Sequence, residues 1–227
     1  MAKLSDLVSR SSEVTGVPIA TVREISRRLR EGELIRTGKG GRYGGADMTP
    51  RDAASLLTAL LIVRASAVSL SDIVPLTRSH LSGLKSPGRW GRQLALPQLC
   101  RLKPRHTFGE AFSALIASIS NRELESSITK WALDRPRGFA PFFELTVKIV
   151  SPFSEARIEF RSPAFDVLDM VYLRPRDQAA FLPLPRKWSD VPEDEAFDLR
   201  VSATLQEPTL KSIGLLLKNS DAKHAAF

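Results

Sequence analysis

Apolar residues recur every three or four positions through the first part of the chain and at every second position from about residue 143. The first spacing marks helices and the second marks strands. Leu4, Leu7 and Val8 share one face of a helix starting near Lys3, and a brief stretch over 11–15 either continues it or forms a separate helix. After Gly16, Val22, Ile25 and Leu29 predict a helix over 18–30, with Pro18 in the first turn, where a missing N–H costs nothing, and Gly32 at the end. Thr49-Pro50-Arg51-Asp52 supplies a hydroxyl cap, a first-turn proline and a first-turn carboxylate, so a new helix runs from there to Arg64 or Ser66. Its apolar face (Ala53, Leu56, Leu57, Leu60, Leu61, Val63) is too broad for one covering surface. It is either the centre of a core or a seam between two copies of the chain.

A short helix is expected over 69–81, then an irregular connector over 82–105 punctuated by glycine and proline. Thr107-Phe108-Gly109-Glu110 matches a capping box, and Phe108, Ala111, Phe112, Leu115, Ile116 and Ile119 form the stripe behind it. A further helix over 123–133 carries Leu124, Ile128 and Trp131. Beyond Pro136-Arg137-Gly138, Phe143, Leu145, Val147 and Ile149 alternate with Glu144, Thr146 and Lys148, which predicts a half-buried strand. Ile158 and Phe160 alternate with Arg157, Glu159 and Arg161 in its expected partner, with further strands at 170–173 and 199–205. The proline-rich stretch 175–192 supports no assignment, a short helix over 209–218 closes the pattern, and 219–227 are expected to fray. The fold class expected is α+β, helices first and then an antiparallel sheet with a terminal helix.

With 227 residues, 43% hydrophobic and 26% charged, the chain has the composition of a globular protein. Charge changes the picture more. The net charge of +8 is unevenly spread: residues 1–105 carry 18 Lys+Arg against 8 Asp+Glu, and residues 106–227 carry 15 against 17. A net of +10 on one half and −2 on the other is the footprint of a polyanionic partner for the first half. Part of this charge stands on the helix over 18–30, where Arg23, Arg27, Arg28 and Arg30 lie largely outside the apolar stripe. Five glycines between 38 and 45 surround Lys39, Arg42 and Tyr43 in a loop able to approach a phosphodiester; the plainer reading is a solvated hairpin. Connector cations (Lys85, Arg89, Arg92, Arg101, Lys103, Arg105) either extend a nucleic-acid path or keep a linker solvated. Trp90 among them either stacks on a base or anchors the loop to the body.

Small Ser12, Gly16 at the turn, Val17 after it and Val22 further on have the spacing of a helix-turn-helix, and Arg36 to Tyr43 has the order of a wing's strand, tip and strand. This stretch resembles the winged helix-turn-helix superfamily of DNA-binding domains. The resemblance covers about the first fifth of the chain. It implies double-stranded DNA as partner, with Ile19, Ala20, Thr21 and Arg23 meeting base edges in the major groove. Arg27, Arg28, Lys39, Arg42 and Tyr43 would hold the backbone, so Arg27→Ala should lower the salt-dependence slope by roughly 0.9. The expected division is a winged helix over 1–66, a basic connector over 67–106, and an α+β self-association or partner domain over 107–227.

Other chemistries find little support. Cys100 is alone and His80, His106 and His224 lie far apart, so no zinc-ligand spacing exists and no cofactor is expected. Gly32…Gly38-Lys39-Gly40 has the wrong loop length for a phosphate-binding loop and lacks its magnesium-holding hydroxyl. No Gly-x-Ser-x-Gly occurs; Asp166 and Asp169 could share a helical turn, with no histidine near them in sequence. These missing motifs point away from an enzyme, and no segment has the length or polarity of a signal peptide or membrane span, which points to a cytoplasmic protein that does not contact membrane. Transcriptional regulation by a homodimer is the leading expectation. Alternatives are a DNA-recognition subunit for packaging or replication in a phage or mobile element, and a protein-interaction module that uses the winged helix to bind protein.

Overall fold

The computed structural model describes residues 2–38, 46–65, 68–86, 96–133, 144–151, 155–162, 165–174 and 201–222. Helix α1 (Leu4–Thr15) is continuous and ends at Gly16, whose φ of 69° lets its N–H reach Ser12 O. Ser12 gives its hydroxyl proton to Val17 O (2.7 Å), and the small residue buried on α1 is its neighbour Ser11. Helix α2 (Ile19–Glu31) follows, with Pro18 as its N-cap. Helix α3 (Pro50–Ala65) opens as its cap residues require: Thr49 N–H and Oγ1 donate to Asp52 Oδ2 at 2.8 and 2.6 Å.

Every residue of α3 from Asp52 to Ile62 is buried. The helix packs on α2, on α4 (Ile73–Gly83), on α6 (Phe108–Ser120), on strands β1 (Glu144–Ser151) and β4 (Val201–Gln206), and on the terminal helix α8 (Glu207–Ala222). Its broad apolar face is therefore core. A 3-10 turn (Leu70–Asp72) leads into α4, and α6 carries the expected reciprocal cap between Thr107 and Glu110. Phe108, Ala111, Phe112, Leu115, Ile116 and Ile119 are all buried.

Strands β1, β2 (Glu155–Ser162), β3 (Phe165–Tyr172) and β4 form an antiparallel sheet in the order β3-β2-β1-β4. Asp166 and Asp169 belong to β3, not to a helical turn. Leu145, Val147, Ile149, Ile158 and Phe160 are buried, as the alternation requires. The other face departs from the half-buried expectation, because Thr146, Glu155, Arg157 and Glu159 are buried too. Those charges are paired: Lys148 Nζ lies 2.8 Å from Glu159 Oε2, Arg157 bridges to Glu155, and Thr146 Oγ1 donates to Glu159 at 3.3 Å. Hydrogen bonding and pairing are what make buried charge tolerable.

The described parts of the connector also depart from a solvated linker. Leu84, Ser86, Leu96, Leu99 and His106 are buried, and α5 (Pro97–Cys100) lies within it. Lys85 pairs backbone to backbone with Leu173 at the end of β3, and Leu84 O accepts from Phe108 N–H (2.9 Å). Residues 87–95, with Trp90, Arg89 and Arg92, lie outside the described residues, as does the tract 175–200. One apolar cluster runs from Ala2 to Leu217 and crosses the expected boundaries near 66 and 106. Helix α8 packs on α1, where Thr209 Oγ1 donates to Val14 O (3.4 Å).

His106 closes the connector onto the sheet. Its Nδ1 contacts Lys103 O at 3.0 Å and its Nε2 lies 2.9 Å from the Tyr172 hydroxyl. Burial lowers its pKa below 6.5, and burial does the same for His80. The neutral ring donates from Nδ1 and accepts the Tyr172 proton at Nε2. A histidine depressed in the folded state contributes stability that is complete above 6.5 and is lost as pH falls toward the folded value. The melting temperature should therefore fall between pH 7.5 and pH 5, and His106→Gln should show a smaller fall over the same interval.

Candidate nucleic-acid interface

Helix α2 has the two faces its sequence spells out. Val22, Ile25 and Leu29 are fully buried, and Ser26 beside them is 4% exposed. They seat the helix on α1, α3 and α4. At its end, a Cβ on Gly32 would collide with the Val74 methyls, so only glycine permits this approach to α4. Arg78 Nη2 adds a hydrogen bond to Gly32 O (2.7 Å).

The outward face carries the residues expected at a duplex. Ile19 is 39% exposed, Ala20, Arg23 and Arg30 are exposed, and Thr21 is half-buried. Arg23 and Arg30 make no ion pair among the described residues. Arg27 and Arg28 differ. Glu24 takes hydrogen bonds from Arg27 Nε (2.9 Å), Arg27 Nη2 (2.8 Å) and Arg28 Nε (2.7 Å), and Arg27 Nη1 also bonds Glu31. Hydrogen bonds from Arg27 and Arg28 hold the Glu24 carboxyl down to about 2, and Arg27 is raised in turn by Glu24. Four arginines facing two glutamates leave α2 a net charge of +2. The signal for this was present in sequence: Glu24 stands three and four residues before Arg27 and Arg28, the spacing of helical ion pairs.

The loop after α2 is pinned at its stem. Leu34 and Ile35 N–H groups return to Leu29 O, and Ile35 is buried. Residues 36–38, the described part of the expected wing, form no strand. Lys39, Arg42 and Tyr43 fall within 39–45, outside the described residues. What closes the stem is one carboxylate. Asp52, 2% exposed, accepts from Arg36 N (3.0 Å), Arg36 Nε (3.0 Å), Thr49 N and Thr49 Oγ1, joining both ends of the loop to α3. Arg36 also bonds Asp47 O, Lys3 Nζ reaches Asp47 Oδ1 (2.7 Å), and Met48 N–H donates to Ala2 O (2.9 Å). The sequence alone places Asp52 at the helix cap and Arg36 in the wing.

No protein-family model, curated protein or solved structure matches this chain. Among the described residues no helix is long and apolar enough to cross a membrane, and no group of three or more His, Cys, Asp or Glu side chains is placed to hold a metal ion.

Burial pushes the Asp52 carboxyl up, but the bonds from Thr49 and Arg36 outweigh it and hold the group below 3.8. A depressed carboxylate contributes stability that is present above its unfolded value and lost as pH falls through the folded one. Asp52→Ala should cost about 2 kcal/mol, since it removes the one buried acceptor shared by exposed Arg36 and half-buried Thr49. Urea titration measures that loss, and amide exchange at Arg36 and Thr49 should accelerate more than exchange across the sheet.

Proposed function

We propose that the chain binds double-stranded DNA through the outward face of α2 and acts as a transcriptional regulator. The observation that carries this reading is the pairing of a fully buried aliphatic stripe with exposed Ala20, Arg23 and Arg30 on one helix. In this reading Ile19, Ala20, Thr21 and Arg23, in the first turns of α2, meet base edges in the major groove. Arg30 holds phosphate. Arg27 and Arg28 contribute less than unpaired cations, because Glu24 already compensates them. Lys39, Arg42 and Tyr43, outside the described residues, would supply further backbone contact. The basic balance of residues 1–105 supports long-range attraction to the duplex. The remainder of the chain is proposed to serve self-association, most simply as a dimer whose two copies of α2 meet successive half-sites.

One observation favours a second reading. Glu24 and Glu31 stand on the same exposed ridge as the arginines, and such alternating charge also suits docking to a mixed-charge protein surface. Affinity against salt separates the two. Selection from random duplexes should return a preferred sequence, and its binding should weaken steeply between about 50 mM and about 200 mM salt. Arg23→Ala and Arg30→Ala should each lower the slope of log K against log[salt] by roughly 0.9, with a smaller effect for Arg27→Ala. Glu24→Gln should act in the opposite sense, releasing guanidinium charge and tightening binding at low salt. Failure of every duplex to bind at low salt would favour the protein-docking reading.

A further inference from the structure

A cleft of about 700 Å³ opens where the end of α2 meets α3, α4 and the start of α6. That volume lies within the ordinary range for small-molecule sites. Leu34, Leu81 and Leu102 give it apolar wall, and a Cβ on Gly109 would come within 2.8 Å of Leu81 O, so α4 and α6 touch at its edge.

The hydroxyls around the cleft have committed their protons. Ser55 donates to Arg51 O (3.1 Å), Ser82 to Arg78 O (2.7 Å) and Ser113 to Gly109 O (2.7 Å). The side-chain donors left for a ligand are guanidinium groups. Arg51, in the first turn of α3, is exposed and makes no ion pair among the described residues, and Arg78 spends one nitrogen on Gly32 O. Acceptors are present too: Glu33 is exposed, and Glu110 already takes the Thr107 N–H and hydroxyl at its Oε2.

We propose that this cleft binds a small organic anion, its acidic group held by Arg51 and Arg78 and its apolar body against Leu34, Leu81 and Leu102. Hydrogen-bond donors on the ligand would meet the Glu33 carboxylate and the serine oxygens. Carboxylate and phosphate ester share the chemistry that two guanidiniums recognise. The site goes beyond DNA binding and does not depend on it, so the probe titrations use the full chain without DNA.

Nitrogen–proton correlation spectra of the labelled protein in constant salt would be titrated with benzoate, phenyl phosphate, benzamide and inorganic phosphate, each to about 10 mM, where a millimolar site is close to saturation. Benzoate or phenyl phosphate should shift the Leu34, Ser55, Leu81 and Ser113 amides saturably, and the tighter of the two identifies the acid group. Neutral benzamide should leave them in place. Arg51→Gln should weaken binding roughly tenfold, the loss expected for one charge-assisted contact. Arg51 has no described partner to lose, so the fold should be unchanged, and Arg78→Gln gives a second reading of the same contact. The proposal is overturned if no anionic probe moves these amides saturably, if benzamide binds as well as benzoate, or if inorganic phosphate matches phenyl phosphate. It is equally overturned if Arg51→Gln leaves probe binding intact, or if that variant lowers the salt slope for a duplex while every probe stays silent. In that last case the arginines are backbone contacts and DNA binding itself survives.

Discussion

The structure depends on the burial of α3 on all sides. Leu56, Leu57, Leu60, Leu61 and Ile62 are at most 3% exposed, and each contributes roughly 2 kcal/mol relative to a solvent-exposed side chain. A helix that needs cover all round organises whatever covers it. Here α2, α4, α6, α8 and strands β1 and β4 all pack against it. Through α2 the same constraint reaches the proposed interface, because the residues that seat α2 on this core fix which residues face outward. Asp52 extends it to the following loop, since the carboxylate that caps α3 also ties Arg36 and Thr49 together. One helix thereby sets both the orientation of the cationic face and the joining of Arg36 to Thr49.

Electrostatics on α2 is divided. Glu24 draws two guanidiniums onto itself and loses its proton far more readily than an ordinary glutamate. Arg23 and Arg30 stand outside that network. Ion pairs this exposed add little to stability. Their larger consequence is for partner choice: Arg23 and Arg30 present full charge, and Arg27 and Arg28 arrive compensated. A duplex approaching this face would be met by fewer effective cations than the four arginines suggest.

Much of the architecture was legible in the sequence wherever one periodicity ran uninterrupted. The stripes of α2 and α6, the caps at Thr49 and Thr107, and the alternation of β1 and β2 all carry local signals that tertiary packing left in place. The rest depended on distant partners. Nothing near Lys85 predicts its pairing with Leu173, and nothing near Glu159 predicts that a charged strand face is buried with Lys148 as its ion-pair partner. The stem of the loop misled for a related reason: Arg36 has the residue type and position of a wing cation, yet its partner Asp52 lies sixteen residues on. The Glu24 ion pairs were readable from spacing alone, since local geometry fixes them.

The most direct test follows backbone amides of the intact chain as a short random-sequence duplex is added at low salt. Changes centred on Ile19, Ala20, Thr21 and Arg23, and fading as salt is raised, are the predicted result. Changes confined to the sheet or to α8, or no saturable change at any of these amides, would contradict the account.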